Sequence, residues 1–425
     1  MRTSRTLAAL GGAGPRIARL SRKVTTVLAA VLLAGCGGGA ADDAPAPIEA
    51  DTLVVYSSLP RTGDAAVAGR AVAAGQRLAL ADAGGRVGRH RVRLVELDSA
   101  EPDERDWDPD RVEENADRAA EDPAAIAYLG ELDLGASAVS VPVTNEESIL
   151  QVSPGDGLAT LTLPQTGPGA TPERFYPAEV RSFFRLVPPD SAQAGALAAV
   201  ARSRGARRVV LAHDGGIFGR QLAGGVEQAA ADQGLTVTGV ERVQPDLDER
   251  AALGQRLERD NPDAVIYQGI GGEAAMTLLA AMAEGVLASR PLVAASPLAE
   301  PGALPAGEPE RPLRVVSPLL PARQYPPAGR RVLARLAAEN GSARVAALYG
   351  YESMRVVLQA LRAAGRRAAD RLAVIEAART SGPRGSVIGR YRFDDRGDSS
   401  RRRLALYELW RGRLRYRGPA PGSGR

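Results

Sequence analysis

From Thr52 onward, short apolar runs alternate with longer segments of helical periodicity, and few folds accept a chain patterned this way. The run LVVY (53–56) reads as a buried strand. Residues 65–83 place Val67, Ala71 and Leu78 at helical spacing and stop at Gly84-Gly85, a C-capping signal. VRLVEL (92–97) is a second strand. Asp108-Pro109 then supply an N-cap and a proline at the first helical position, and that helix ends before Asp122-Pro123. The strand AIAYL (125–129), a helix over about 136–145 and the strand ILQV (149–152) continue the series. Strands separated by helices of this length form βαβ units on a parallel sheet, so the chain belongs to the α/β class.

The pattern breaks at 154–177, a stretch rich in Gly, Pro and Thr that reads as a long surface loop, and then restarts. Asp190 is expected to cap a helix ending at Gly205. RVVLAH (208–213), LTVTGV (235–240) and AVIYQ (264–268) read as strands with helices between them. After 314–317 come further helices, the longest over 345–364. LALYELWRGRLRY (404–416) reads as a hairpin turning at Arg411-Gly412, and 418–425 as a disordered tail. Two βαβ blocks sharing a tail suggest two α/β lobes, a pair of Rossmann-like units, rather than one large sheet.

Charge misleads unless it is located. The chain has a net charge of +4, but residues 1–35 hold Arg2, Arg5, Arg16, Arg19, Arg22 and Lys23 with no acid, which leaves the remainder close to neutral. Nucleic acid is therefore not an expected partner. The same residues have the three parts of an export signal: a basic stretch, the apolar core VTTVLAAVLLAG and then Cys36, the only cysteine. Leu33-Ala34-Gly35-Cys36 resembles the bacterial lipobox, so 1–35 is expected to be removed and Cys36 acylated. Two or more acyl chains suffice for stable membrane anchoring. The following segment, 36–50, is a Gly/Ala/Pro/Asp tether without apolar periodicity, and the folded unit is expected to begin near Asp51. The protein is expected to work outside the cytoplasm, on a leash.

What the chain lacks narrows its chemistry. Lys23 is the only lysine, which removes a Walker A lysine and any Schiff-base lysine from the mature chain. His90 and His213 lie far apart in sequence, and no Cys/His metal spacing or G-x-S-x-G elbow occurs. The acids of 103–110 and Asp394-Asp395 read as solvated surface, and the arginines of 401–403 and 411–417 as a solvated hairpin face. No enzyme, metal or cofactor is expected.

One motif could argue otherwise. Gly269-Ile270-Gly271-Gly272-Glu273-Ala274 has the G-x-G-x-x-A form of a dinucleotide-binding turn. That fingerprint belongs in the first βα turn with an acid about 20 residues on; this one is mid-chain, and Ser289–Val293 holds Arg290 and no acid. The first block has a turn of the same build, Gly130 to Gly135 and then Ala136-Ser137. In both blocks a strand tip feeds a glycine-bearing loop and an expected exposed helix N-terminus, whose unpaired N–H groups and dipole favour a carboxylate. Each glycine taken singly is explained by a tight turn; the paired arrangement favours a cleft that closes on a small polar molecule.

A specific resemblance follows. LVVYSSLPRTG, ALADAGGRVG, IAYLGELDLGASAVSVPVTNEESILQVSP, FFRLVPPDSAQAG, VVLAHDGGIFG, ALYGYESM and YRFDDRGD cover nearly all of 53–416 in order. Together they resemble the substrate-binding proteins of branched-chain amino acid ABC importers, of type I periplasmic-binding-protein fold. The resemblance implies two lobes joined by three hinge crossovers, one from 51–186 plus about 316–400, the other from 187–315 plus about 401–417. It implies a membrane permease and ATPase subunits as partners, and capture of a small polar ligand, an amino acid or related compound. The same fold used as a sensor for a membrane signalling partner is the alternative.

Carried over residue by residue, the resemblance implies a ligand site at Asp133, Leu134, Gly135, Ser153, Gly155, Gly157, Asp190, Phe218, Ile270 and Ser296. Leu134 stands where a serine hydroxyl usually meets the ligand carboxylate, and Gly157 where a hydroxyl residue is common. Asp190 matches the acid after FR, and Phe218 keeps an aromatic. Ile270 stands at a usual aromatic, and Ser296 near a usual acid. Asp133 is the residue able to supply the missing negative charge. The scaffold is kept while much of the amino-acid clamp is not.

Overall fold

The computed structural model describes residues 46–63, 66–102, 107–164, 171–270, 272–299, 304, 312–411 and 413–423. The leader, Cys36 and the tether as far as Pro45 lie outside these residues. The first block runs β1 (Thr52–Leu59), α1 (Ala66–Asp82), β2 (Arg86–Val87), β3 (His90–Asp98), α2 (Pro109–Glu121), β4 (Ala125–Leu129), α3 (Ser137–Glu146), β5 (Leu150–Ser153) and β6 (Phe183–Arg185). Its sheet has the order β2-β3-β1-β4-β5-β6 and is parallel apart from the antiparallel edge strand β2. All five residues of β4 are buried, the continuous apolar run of a central parallel strand covered on both faces.

The second block is α4 (Asp190–Ser203), β7 (Arg208–His213), α5 (Ile217–Asp232), β8 (Thr236–Arg242), α6 (Arg250–Asp260), β9 (Ala264–Gln268), α7 (Gly272–Ala281), β10 (Leu292–Ala294) and β11 (Leu313–Ser317). The chain then forms α8 (Pro327–Asn340), α9 (Ala346–Ala364), α10 (Arg371–Thr380), the small hairpin β12 (Arg384–Ser386) and β13 (Gly389–Tyr391), and last β14 (Ala405–Trp410) and β15 (Arg413–Pro419). The second sheet has the order β15-β14-β11-β10-β9-β7-β8, parallel from β11 to β8 and closed by two antiparallel strands at the other edge.

Helices α9 and α10 return to the first sheet. They touch β4 and β5, and α9 lies along α1. That helix pair is drawn close by glycine: a Cβ on Gly350 would sit 2.0 Å from the Val72 carbonyl oxygen, and one on Gly75 2.0 Å from that of Ala347. The chain therefore passes between the sheets three times: after Arg185, after Ser317 and before Ala405. The first and third passages run side by side, since the Arg185 N–H donates to the Gly397 carbonyl at 3.0 Å and Arg185 bridges Asp398 in parallel. Inside this joint the Arg185 guanidinium and Asp398 carboxylate, both without exposure, pair at 2.6 Å, and Arg185 also donates to the Leu158 carbonyl at 2.7 Å.

Four expectations change. The stretch expected to be a surface loop carries 3-10 turns at Ala159–Leu161 and Pro172–Phe175, and buries Leu161, Phe175 and Tyr176 against Val141 and Phe183. Its glycines and prolines mask three large apolar side chains that need cover. Asp190 is not a helix cap: Pro189 holds that position, and the Asp190 carboxylate reaches the N–H of Ala159 at 3.0 Å. The expected disordered tail begins as strand: β15 runs to Pro419, and Ala420 is buried with its N–H on the Leu404 carbonyl. Order also starts earlier than Asp51, with Ile48 buried and its N–H donating to Ala369 at 2.7 Å.

Candidate functional site

Every parallel strand of each sheet ends in a loop on the same side, and the two sets of loops meet. Gly135, at φ +90°, faces α5 so closely that a Cβ there would lie 2.3 Å from Gln221 Oε1. Leu134 is 7% exposed and joins the apolar cluster on the α4–α5 side of the second sheet, against which Phe218, Leu158 and Ala192 also pack. Ile217 packs in the other direction, against Trp107, Val112 and Ala136. Gly157 adjoins the backbone of Asp190, whose N–H donates to the Gly157 carbonyl at 2.6 Å. The seam thus brings together Leu134, Gly135, Gly157, Asp190 and Phe218, which sequence had placed far apart.

The remaining expected residues flank it. Ser153 ends β5 fully buried, its hydroxyl donating to the Glu131 carbonyl (2.7 Å) and accepting from the N–H groups of Asp156 (2.8 Å) and Gly155 (3.2 Å). Gly155 lies against the Leu132 carbonyl, at 2.5 Å from a Cβ position. Asp133 and Ile270 are half-buried in their loops, and Ser296 opens a 3-10 turn after β10.

The first-lobe cradle is not open, contrary to expectation, and the second-lobe loop has one amide taken. In the first lobe the buried Asp156 carboxylate takes the N–H groups of Gly135 (3.0 Å), Ser137 (2.8 Å) and Leu158 (2.9 Å). In the second, Asp214 accepts from Gly216 (3.1 Å) and Ile270 (2.8 Å). In the first lobe the carboxylate at the helix N-terminus, which the physics of such termini favours, thus belongs to the chain; in the second, Asp214 takes one amide of the glycine-bearing loop and one ahead of α5. Burial raises the Asp156 pKa, against the lowering effect of its three backbone hydrogen bonds.

A second buried acid lies beside it. Glu131, 1% exposed, accepts from the hydroxyls of Tyr128 (2.7 Å) and Ser58 (2.8 Å), and Asn115 donates to that same serine (3.0 Å). The Glu131 pKa is pushed up to about 8, chiefly by burial and in part by the neighbouring Asp133 and Asp156, against the lowering effect of the Tyr128 and Ser58 hydrogen bonds. Asp190 is pushed up to about 6, again chiefly by burial. His213, at the tip of β7, is lowered by burial and accepts the Gly215 N–H on Nδ1 at 3.0 Å. Beside it, Gln268 ends β9 with no exposure, and neither its amide oxygen nor its nitrogen has a partner among the described residues.

Sequence reasoning missed Glu131, Asp156, Asp214 and Gln268. The signal was present for Asp156, the one acid in the SPGDG loop, and for Gln268, a polar residue closing a buried apolar run. Elsewhere, a groove of about 760 Å³ beside α8 and α9 is lined by Arg331, Arg335, Arg355 and Arg390, with none of the expected ligand-site residues among its walls. Among the described residues no His/Cys/Asp/Glu group is arranged to hold a metal ion, and no helix is long and apolar enough to cross a membrane.

Two α/β lobes, three crossovers and strand-tip loops meeting in one seam define a bilobal solute-binding protein. A family model described as periplasmic binding protein matches residues 57–412, and the chain belongs to that family. It is a binding protein and not an enzyme. Solved structures of similar fold include the leucine binding protein LivK of Thermotoga maritima (21% identity, 87% of this chain and 98% of that one, TM-score 0.72). A solute binding protein of R. palustris in complex with benzoate is similar at 19% identity, covering 87% and 96% with TM-score 0.69. So is LivJ of Streptococcus pneumoniae in complex with isoleucine, at 17% identity, 87% and 100% coverage and TM-score 0.65. No curated protein matches the chain.

Proposed function

We propose that this chain is the extracytoplasmic solute-binding component of an ABC importer. The lobes, close to the boundaries expected from sequence but divided after Arg185, after Ser317 and before Ala405, close on a small polar solute, an amino acid or related compound, and deliver it to a permease driven by ATPase subunits. The observation that carries this reading is the seam itself: loops from the tips of two parallel sheets, on lobes joined by three short passages able to act as a hinge. Leucine, isoleucine and benzoate in the similar proteins support a small-molecule ligand. Acylated Cys36, the cysteine of the lipobox-like Leu33-Ala34-Gly35-Cys36, holds the protein at the membrane.

Mass spectrometry of whatever small molecule co-purifies with the native protein, followed by small-angle scattering with and without it, tests the central claim. A bound solute that reduces the radius of gyration is the expected result. A radius of gyration unmoved by every solute bound would remove closure from the account. Cys36→Ala is expected to shift the protein from membrane to soluble fraction.

A further inference from the structure

Two observations at the seam bear on what it accepts. The first is the occupied cradle. Asp156 is fully buried and takes three backbone N–H groups, two of them, from Gly135 and Ser137, at the start of α3. A ligand carboxylate arriving there finds the donors already used and a like charge beside them, and in the other lobe Asp214 takes the Ile270 N–H of the glycine-bearing loop. Displacing Asp156 would leave its own charge buried and unpaired, which is costly. The fully buried cation nearest this region, Arg185, is already paired with Asp398.

The second is Gln268. Side chains alternate along a strand, so Gln268 shares the sheet face of Ala264 and Ile266. That face belongs to the apolar cluster that includes Leu134 and, at its edge, Phe218 and Leu158. An amide there offers one acceptor and two donors, all unused among the described residues. Buried polar groups are nearly always satisfied, and one left open at a ligand seam marks a place for a ligand's hydrogen bonds.

We propose that Asp156 is a built-in stand-in for a ligand carboxylate, and that the seam takes a small solute without one, neutral or cationic, whose polar group pairs with Gln268. This rests on the solute-binding reading above and narrows it to amides, amines and similar carboxylate-free relatives of amino or aromatic acids. Leu134 and Phe218 receive the apolar part. The three similar proteins named above differ on this point, since leucine, isoleucine and benzoate all carry a carboxylate.

Titration calorimetry with paired probes, leucine against leucinamide and benzoate against benzamide, tests the inference. The wild-type chain is expected to bind the amides and reject the acids. Asp156→Ala frees the cradle and is expected to gain about tenfold or more in affinity for the acids, the scale of a hydrogen bond to a charged group. Asp156→Ser serves should the alanine variant fail to fold, and thermal melts report folding of both. Gln268→Leu is expected to weaken amide binding while the melting temperature holds. Acid binding by the wild-type chain at least as tight as amide binding overturns the inference and leaves the solute-binding reading standing. So does a folded Asp156 variant that binds amides as before and gains nothing for the acids. Silence of both folded proteins toward the whole panel counts against the inference and the reading together.

Discussion

Glu131 shows how one buried side chain ties the site to pH. Its folded pKa of about 8 lies above the ordinary 4.5, so the folded state binds the proton more tightly than the unfolded chain does. The resulting stabilisation is fully present below about pH 4.5 and is lost as pH rises through about 8. Glu131→Gln keeps the shape and removes the titration. Its melting temperature is therefore expected to fall less than that of the wild type between pH 5 and 8.5 (roughly the span of the shift), measured by calorimetry in matched buffers. Parallel curves would place the proton elsewhere. None of this was legible in sequence, where Glu131 is one acid among many near Asp133. Burial by Tyr128, Ser58 and Asn115, residues drawn from three elements, sets its state.

At the scale of elements, the strands and helices of both blocks follow the apolar periodicity closely: the strand read at 125–129 is β4, and the helix read at 345–364 is α9 within a residue. Periodicity reports which face is buried, not what lies against it. The contact between α1 and α9 joins segments far apart in the chain, and the small residues that permit it look unremarkable in sequence. Gly350→Val puts a Cβ carrying two methyl groups 2.0 Å from the Val72 carbonyl oxygen. The helices must separate, at a cost of about 1–3 kcal/mol for overpacking. A lower urea midpoint at unchanged slope checks this, and an unchanged midpoint would mean that the helix pair yields freely. The Pro154-to-Pro177 stretch misled for the converse reason. Composition marks a loop, but not that Leu161, Phe175 and Tyr176 within it are buried.

Across the whole molecule, the joint between the lobes depends on the pair Arg185–Asp398, which locks the first passage to the third and holds the Leu158 carbonyl. Arg185→Ala leaves Asp398 buried without its partner and is expected to cost about 3–5 kcal/mol, read from denaturant unfolding. The double variant Arg185→Met with Asp398→Leu is expected to recover much of that loss, because apolar replacement removes the stranded charge as well. A double variant as unstable as the single one would mean that the joint needs the ions themselves. From sequence alone came the α/β class, the two blocks and the strand tips, because apolar spacing and turn residues act locally along the chain. Tertiary structure alone decided that the first cradle is filled and the second partly engaged: only folding brings Asp156 to the amides of Gly135 and Ser137, and Asp214 to that of Ile270. A helix N-terminus attracts whichever carboxylate arrives, and nothing local to it says whether that group comes with a ligand or from the chain.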